Sequence, residues 1–326
     1  MKILFTSVGR RVELMQAFRN AAQKLNKKLI IIGTDIVDTA PALRFCDESR
    51  IVYRIANPKY ISQLLSICER EQVDCLIPTI DTDLLLLAEN KKYFEKIGTK
   101  VLISSEEKIK LCRDKRFTAN YFNSLGLKSP LPYDKVGKYL EDRPDGFPAF
   151  IKPKDGSSSI DAYKVDDADD LRIYARRIKD YIIQPYIKGK EYTVDIFCNY
   201  EGRPVFITPR ERLAVRAGEV LKTRICQDEK IISEMKILIE DYKPCGQITV
   251  QLIRQEITED DYYIEINPRF GGGAPLSIKA GADSAEAVIR MLGGERLGYI
   301  EKAANDGAIY SRFDQSICVY EGFKYV

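Results

Sequence analysis

The 326-residue sequence contains no histidine. This absence excludes imidazole zinc ligands, nucleophile systems of the Ser-His-Asp and Cys-His types, and acid–base catalysis by imidazole. Any chemistry must therefore use carboxylates, amides, lysine and arginine, with or without a hard metal ion.

The sequence also lacks paired cysteines and long apolar runs. Its eight cysteines form no Cys-x-x-Cys pair and are scattered through apolar segments, as reduced core cysteines are. No apolar run approaches the roughly 20 residues that a membrane span needs. The start, MKILFTSVGRR, lacks the long apolar region and cleavage site of a secretory signal. These features predict a cytoplasmic protein.

Charge of one sign is not concentrated anywhere in the chain. The formal net charge is only +3, and the charged residues are spread out. Neither a nucleic-acid partner nor an anionic membrane is indicated. The length suits two or three domains with a substantial core.

Strand and helix signals alternate over the first part of the chain. Apolar runs such as KILFTSV and KLIIIGTD are separated by amphipathic segments, which predicts a parallel sheet with helices on both faces. Only Gly9 lies in the first strand–helix turn, so the G-x-G-x-x-G dinucleotide fingerprint is missing. Polar residues at the predicted strand ends either line a ligand pocket or cap helices: Thr6, Ser7, Gly9, Asp35 and Asp81.

The pattern changes near residue 105. Residues 104–126 predict one helical region that begins with a Ser-x-x-Glu cap and ends at Gly126. Residues 127–148 form a connector rich in proline and glycine. A further helix is predicted over 169–178. From Tyr192 to Ile266, antiparallel strands are predicted, broken by a helix over 231–242.

The segment YYIEINPRFGGG, residues 262–273, has an unusual polar face for a strand. The alternation places Ile264 and Ile266 on the apolar face and Tyr263, Glu265 and Asn267 on the polar face. Pairing with the preceding strand QITVQLIR around Thr258 would bring Gln251 directly opposite Glu265.

The side chains of Gln251, Glu265 and Asn267 would then converge as oxygen donors. Such a set suits Mg²⁺, which completes its shell with phosphate oxygens and water. A satisfied hydrogen-bond network on a half-exposed sheet is the alternative.

Two further segments contain candidate nucleotide contacts. In FIKPKDGSSS, a strand delivers Lys152 to a loop of glycine and serine, which suits a phosphate or is a surface turn. In IIQPYIKGKEY, the bend at Pro185 leaves backbone groups of Gln184 and Ile187 free for a planar ligand, and Glu191 suits ribose hydroxyls. A bent connector with a solvated glutamate is the alternative.

Three arginines in TPRERLAVRAGE, namely Arg210, Arg212 and Arg216, either bind a substrate carboxylate or are solvated charges on strands. The glycines after Arg269 would let a substrate approach the backbone closely.

Taken in this order and spacing, these segments resemble the ATP-grasp superfamily over roughly residues 105–295. The resemblance implies an α/β parallel-sheet domain that precedes a two-lobed α+β ATP-grasp fold. The implied division is residues 1–108 for the preceding domain, 109–187 for the N-terminal lobe, and 188–326 for the C-terminal lobe with the metal site.

The resemblance also implies residue roles. Lys115 and Lys152 match phosphate-binding lysines, Glu191 matches the ribose-binding carboxylate, and Arg269 matches an arginine that steadies the acyl phosphate. Gln251, Glu265 and Asn267 match the Mg²⁺ ligands, with glutamine in the first place as in carbamoyl phosphate synthetases. Lys222 matches a basic residue that faces the γ-phosphate. The loop that covers the phosphates matches Gly156, Ser157, Ser158 and Ser159, and the adenine-binding hinge matches Gln184, Pro185, Tyr186 and Ile187.

The activity implied is the ATP-dependent joining of a small-molecule carboxylate to an amine through an acyl phosphate, with Mg²⁺ or Mn²⁺. The alternatives are phosphorylation of bicarbonate, in a carboxylase or a carbamoyl-phosphate-synthase-like enzyme, and an ATP-binding module without turnover. A homodimer is compatible with the sequence. The complete residue set argues against the module, because a degenerate binder would be free to lose its metal ligands.

Overall fold

The computed structural model describes residues 1–155 and 160–319. Three sheets, of five, three and six strands, organise this part of the chain. The first is parallel and the other two are antiparallel. The predicted succession of a parallel-sheet domain and antiparallel lobes is confirmed. The boundaries at residues 108 and 187 remain our proposal.

The first sheet has five strands, and helices connect them along the chain. The elements are β1 (Lys2–Thr6), α1 (Val12–Lys24), β2 (Ile30–Asp35), β3 (Glu48–Ile51), α2 (Tyr60–Glu71), β4 (Cys75–Pro78), α3 (Leu84–Lys96) and β5 (Lys100–Val101), with a short 3-10 helix over Pro41–Phe45. The strand order in the sheet is β3-β2-β1-β4-β5. Successive residues of β1 enter two different cores. Ile3 and Phe5 pack in the core beneath α1, and Leu4 packs in the core beneath α2 and α3. Both faces are therefore buried, as is typical of parallel sheets.

The polar residues at the strand ends are bonded within the protein. The Thr6 hydroxyl donates to Asp83 over 2.7 Å, and the Gly9 amide donates to Asp35 over 2.9 Å. Asp81 forms an ion pair with Arg269, far along the chain. Of the predicted strand-end set, Asp81 is the residue that points toward a site.

We expect Asp83→Asn to change how stability depends on pH. The Asp83 side chain is fully buried, and burial raises its pKa to about 6, although hydrogen bonds from Thr6 and Tyr60 oppose the shift. Folded protein therefore binds more protons than unfolded protein between about pH 4 and 6, so native stability falls as pH rises through this window. The asparagine variant lacks this loss, which is about 2–3 kcal/mol.

Urea unfolding across pH 4–7.5 measures the difference between the two proteins. Asp38→Asn, at an exposed position of the same domain, is the matched control. A constant difference in unfolding free energy between Asp83→Asn and native protein across this range would contradict the expectation.

The middle of the chain forms four helices and the three-stranded sheet: α4 (Glu106–Arg113), α5 (Lys115–Ser124), α6 (Val136–Asp142), β6 (Ala149–Pro153), β7 (Tyr163–Val165), α7 (Ala168–Arg177) and β8 (Tyr181–Pro185). The strand order in the three-stranded sheet is β7-β6-β8. The helical region predicted over 104–126 is confirmed, but it consists of two helices. The chain breaks at Asp114, whose side chain caps α5 by accepting from the Arg116 amide. Because a new helix begins there, Lys115 stands at a helix start.

The third sheet and its helices complete the described chain: β9 (Gly189–Cys198), β10 (Pro204–Arg216), β11 (Glu219–Ile225), α8 (Glu229–Tyr242), β12 (Gly246–Gln255), β13 (Asp261–Asn267), α9 (Ala274–Lys279), α10 (Ser284–Leu292) and β14 (Ile309–Ser311). Apolar side chains of α8 pack with Val194, Ile248 and Val250 in one core. On the opposite face, Phe197 and Phe206 pack in the core beneath α1, and polar residues such as Thr193 and Gln251 occupy another part of the same face. The strand order of the sheet is β13-β12-β9-β10-β11-β14.

The β12–β13 hairpin has the predicted register at its functional end. Gln251 pairs with Glu265, and Thr249 pairs with Asn267. A β-bulge follows Gln251, and it shifts the pairing by one residue beyond that point. The prediction for Tyr263 and Ile264 is therefore wrong: Tyr263 is buried in the core, and Ile264 lines the cleft.

Among residues 1–155 and 160–319, no helix combines the length and apolar character required to cross a bilayer.

Candidate functional site

A cleft of about 350 Å³ lies between the polar face of the third sheet and the elements β6 and α5. Several of the residues singled out in the sequence meet here, although they come from distant segments. The cleft is lined by Lys115, Lys152, Glu191, Gln251, Glu265, Asn267 and Arg269.

The paired strands β12 and β13 present a cluster of oxygen atoms at the cleft. The Asn267 side-chain amide donates to Glu265 Oε1 over 2.8 Å, and Gln251 Oε1 accepts from Arg212 Nη1 over 2.9 Å. The cluster offers one carboxylate and two amide oxygens. Among the described residues, no group of three or more His, Cys, Asp and Glu side chains could hold a metal. This donor set fits Mg²⁺ when phosphate oxygens complete the shell.

Two lysines face this cluster. Lys115 begins α5, and Lys152 is in β6 with its side chain nearly buried. The pKa of Lys152 is lowered to about 8, chiefly by burial; Glu265 opposes the shift, and the charge of Lys115 adds to it. Burial also lowers the pKa of Lys115. Because these ammonium groups are partly removed from water, their attraction to an anionic ligand in the cleft is strengthened.

Glu191 and Arg212 lie next to the cluster on neighbouring strands. The Arg212 guanidinium lies 3.5 Å from the Glu191 carboxylate, and burial lowers the pKa of Arg212. The Glu191 side chain is 51% exposed, so it remains open to a ligand from the solvent side.

The predicted hinge is engaged in its own lobe. The Gln184 side chain is buried and donates to the Pro130 carbonyl over 2.7 Å, and its backbone lies opposite Phe150 in the sheet. The Tyr186 amide donates to the Pro148 carbonyl over 3.1 Å. The expectation of free backbone groups at Gln184 is therefore wrong. In the described part of the chain, the cleft lining does not include residues 184–187, and their contact with adenine stays a prediction.

Lys222, another predicted residue, is also absent from the cleft lining. Lys222 is exposed on β11, where register shifts in the pairing with β10 change which residues face the cleft. The structure therefore does not bring Lys222 to the phosphate-binding end. Gly156, Ser157, Ser158 and Ser159 lie outside the described residues.

Arg269 joins the cleft to the N-terminal domain. Its Nη2 forms an ion pair with Asp81, and its Nη1 donates to the Phe270 carbonyl over 3.1 Å. Its Nε is buried without a hydrogen-bond partner among the described residues. A guanidinium fixed in this way, with an unused donor, is suited to an oxyanion.

The three arginines of β10 have different surroundings. Arg210 and Arg212 line the cleft, whereas Arg216 is exposed and pairs with Asp314. Arg11, which precedes α1, also lines the cleft and was missed from the sequence. Its position at the carboxyl end of a parallel strand was the signal available.

Two family models match the chain. A PylC-like N-terminal domain matches residues 3–102, and an ATP-grasp domain matches residues 112–273.

Three curated relatives are similar over parts of their length. D-alanine–D-alanine ligase of Bacillus anthracis is 27% identical over 41% of this chain and 50% of its own. The large chain of carbamoyl phosphate synthase from Rubrobacter xylanophilus is 22% identical over 86% of this chain and 29% of its own. The 3-methyl-D-ornithine–L-lysine ligase of Methanosarcina barkeri is 26% identical over 56% of this chain and 45% of its own. The chain thus spans half the length of these relatives or less.

Solved structures share the fold. N5-carboxyaminoimidazole synthetase from Staphylococcus aureus superposes with a TM-score of 0.72 at 17% identity, covering 92% of this chain and 79% of its own. The biotin carboxylase domain of the Hydrogenobacter thermophilus 2-oxoglutarate carboxylase, solved as a dimer with MgADP and bicarbonate, gives 0.74 at 18% identity, covering 94% and 73%. With its two matched domains and the shared fold, the chain belongs to the ATP-grasp superfamily.

Proposed function

We propose that the protein is an ATP-dependent ligase that joins a small-molecule carboxylate to an amine through an acyl phosphate. The observation that carries this proposal is the convergence in one cleft of the buried Lys152, the half-buried Lys115, an oxygen-donor cluster and Arg269. Its similarity to two amino-acid ligases supports the same reaction class.

The lysines hold the phosphate end of the nucleotide. Lys115 and Lys152 supply two point charges at a place where burial has removed water, so their attraction to phosphate is stronger than at the surface. Glu191 would accept hydrogen bonds from the ribose hydroxyls of the nucleotide. Residues 156–159 and 184–187 retain their proposed contacts with phosphate and adenine.

Gln251, Glu265 and Asn267 would hold Mg²⁺. When bound there, the ion supplies positive charge against the β- and γ-phosphates. Mn²⁺ has the same preference for oxygen ligands and is the second metal that we propose for this donor set.

Arg269 orients the reacting carboxylate and stabilises the negative charge that grows during phosphoryl transfer. Its guanidinium is held by Asp81, so little reorganisation is needed when the charge develops. Positioning and electrostatics account for most of the catalysis in phosphoryl transfer, so the absence of histidine is no obstacle. A cytoplasmic location is part of the same proposal.

Phosphate release from ATP tests the function directly. The purified chain with Mg²⁺ is screened against amino acids and other carboxylates, each with and without a panel of amines, and the products are identified by mass spectrometry. We expect release that requires a carboxylate, and an amide product when the amine is present. Release with bicarbonate alone would replace this proposal with the carboxylase alternative, and no release with any acid would favour an ATP-binding module.

A further inference from the structure

Two arginine side chains meet at the glycine turn beyond Arg269. A Cβ atom on Gly272 would lie 2.7 Å from Arg11 Nη1, and one on Gly273 would lie 2.5 Å from Arg210 Nη2. The guanidinium groups therefore occupy the space that side chains of the turn would fill. A side chain at either position would displace the end of an arginine side chain, so the glycines let both guanidinium groups lie against the turn.

Arg210 is held by an ion pair and keeps one donor unused. Its Nε donates to Asp195 over 2.8 Å, and both side chains are 3% exposed. Asp195 also accepts from the Ser277 hydroxyl over 2.6 Å, which locks the carboxylate in place. Arg210 Nη1 is buried and has no hydrogen-bond partner among the described residues. A buried, unused donor of this kind calls for an acceptor that the protein does not provide.

The charge of Arg11 is only partly compensated at this end of the cleft. The neighbouring Arg312 donates to Glu219 over 3.1 Å, whereas Arg11 approaches the same carboxylate only to 3.9 Å. Burial, followed by the nearby charge of Arg269, lowers the pKa of Arg11, and Glu219 compensates only in part.

The charge balance selects a monoanion. Arg210 pairs with Asp195, and Arg269 pairs with Asp81. Three cations share the two remaining carboxylates, so one positive charge is left over: Arg11, Arg312 and Lys279 share Glu219 and Glu13. A carboxylate matches this charge and the forked donors of two guanidinium groups, whereas a phosphate dianion would exceed it.

We propose that Arg11 and Arg210 form a carboxylate subsite at Gly272–Gly273, which binds a substrate carboxylate that is not phosphorylated. That the bound carboxylate is not phosphorylated rests on the proposed function, in which Arg269 serves the reacting carboxylate. The bound group belongs either to a dicarboxylate acid substrate or to an amino acid that provides the amine. In both cases the subsite selects a substrate by a carboxylate that does not react.

Calorimetric titration of the full chain, with Mg²⁺ and a non-hydrolysable ATP analogue, tests the subsite. The probes are straight-chain dicarboxylates and the standard amino acids, each compared with the same molecule lacking one carboxylate, and inorganic phosphate. We expect a dicarboxylate or an amino acid to bind, and to lose affinity when that carboxylate is absent; which class binds identifies the source. Preferential binding of phosphate, or no Arg11-dependent binding by any probe, would overturn the inference.

Three variants sharpen the result. Arg11→Gln removes the partly compensated charge, and Gly272→Ala keeps every charge but displaces the Arg11 guanidinium. Both should weaken binding of the probe roughly 10- to 100-fold and leave affinity for the ATP analogue unchanged. Arg203→Gln, on an exposed loop outside the cleft, is the charge-matched control and should bind as the native chain does. Native-like probe binding by Arg11→Gln would contradict the assignment.

The outcomes separate this inference from the ligase proposal. Arg11-dependent carboxylate binding without phosphate release would overturn the ligase and retain an anion subsite. Phosphate release that is indifferent to Arg11→Gln would retain the ligase and overturn the subsite.

Discussion

Replacing Glu265 with alanine or glutamine is expected to abolish ATP-dependent phosphate release while the fold is retained. Glu265 is the only carboxylate of the proposed metal-binding set, since its neighbours Gln251 and Asn267 are amides. Without it, the proposed metal-binding set contains no anion to balance the charge of the metal. Electrostatic contributions of this kind are worth several kcal/mol in the transition state, so turnover should fall by roughly 10³-fold or more.

Steady-state phosphate release over a range of Mg²⁺ concentrations measures the effect. A retained unfolding transition shows that the variant folds, which we expect because the Glu265 side chain is not fully buried. Glu256→Gln, in the turn of the same hairpin and paired only with Lys188 at the surface, is the matched control. If Glu265→Gln kept near-native turnover at limiting Mg²⁺, the metal site would have to lie elsewhere.

Arg269→Gln is expected to lower kcat by roughly 10²–10³-fold and to leave nucleotide affinity within about twofold of native. The reason is the position of the guanidinium: it faces the cleft from the side of the N-terminal domain, while the nucleotide phosphates are assigned to Lys115 and Lys152. An interaction that grows only in the transition state affects kcat more than binding. Arg269→Lys keeps the charge but not the forked geometry, and should be intermediate.

Separate measurements of kcat and of the dissociation constant for an ATP analogue distinguish the two effects. Removing Arg269 leaves Asp81 unpaired, but that carboxylate is 30% exposed and can be hydrated, so we expect little loss of stability. Arg224→Gln, at an exposed position of β11, is the control. A variant that lost nucleotide affinity and kept kcat would show instead that Arg269 binds the nucleotide.

The hairpin register illustrates what sequence reasoning could reach. Strict alternation along β12 and β13, with a short polar turn, is enough to place Gln251 opposite Glu265. The same reasoning fails beyond Gln251, because a bulge inserts an extra residue and exchanges the faces of Tyr263 and Ile264. Bulges depend on packing on both sides of the sheet, which alternation does not encode.

Lys222 and Arg11 show the second limit. The alignment of motifs suggested Lys222, but local register shifts between β10 and β11 leave its side chain exposed. The sequence analysis gave Arg11 no functional role, and only the packing of α1 against α9 and α10 brings the N-terminal domain beside the glycine turn. Contacts between residues 11 and 272 have no local sequence signal.

The sequence by itself determined the chemistry that is available and the architecture that carries it. The absence of histidine limited the chemistry to carboxylates, amides, lysine and arginine, and the alternating polar strands placed Gln251 opposite Glu265. The order and spacing of the segments, through their resemblance to the ATP-grasp superfamily, then implied the fold and a cleft for ATP and magnesium. Only the tertiary structure decided which arginines share that cleft and which carboxylate neutralises each. The physical reason is that charge compensation is a property of distance and burial, and both are set by the packing of segments that lie far apart in the chain.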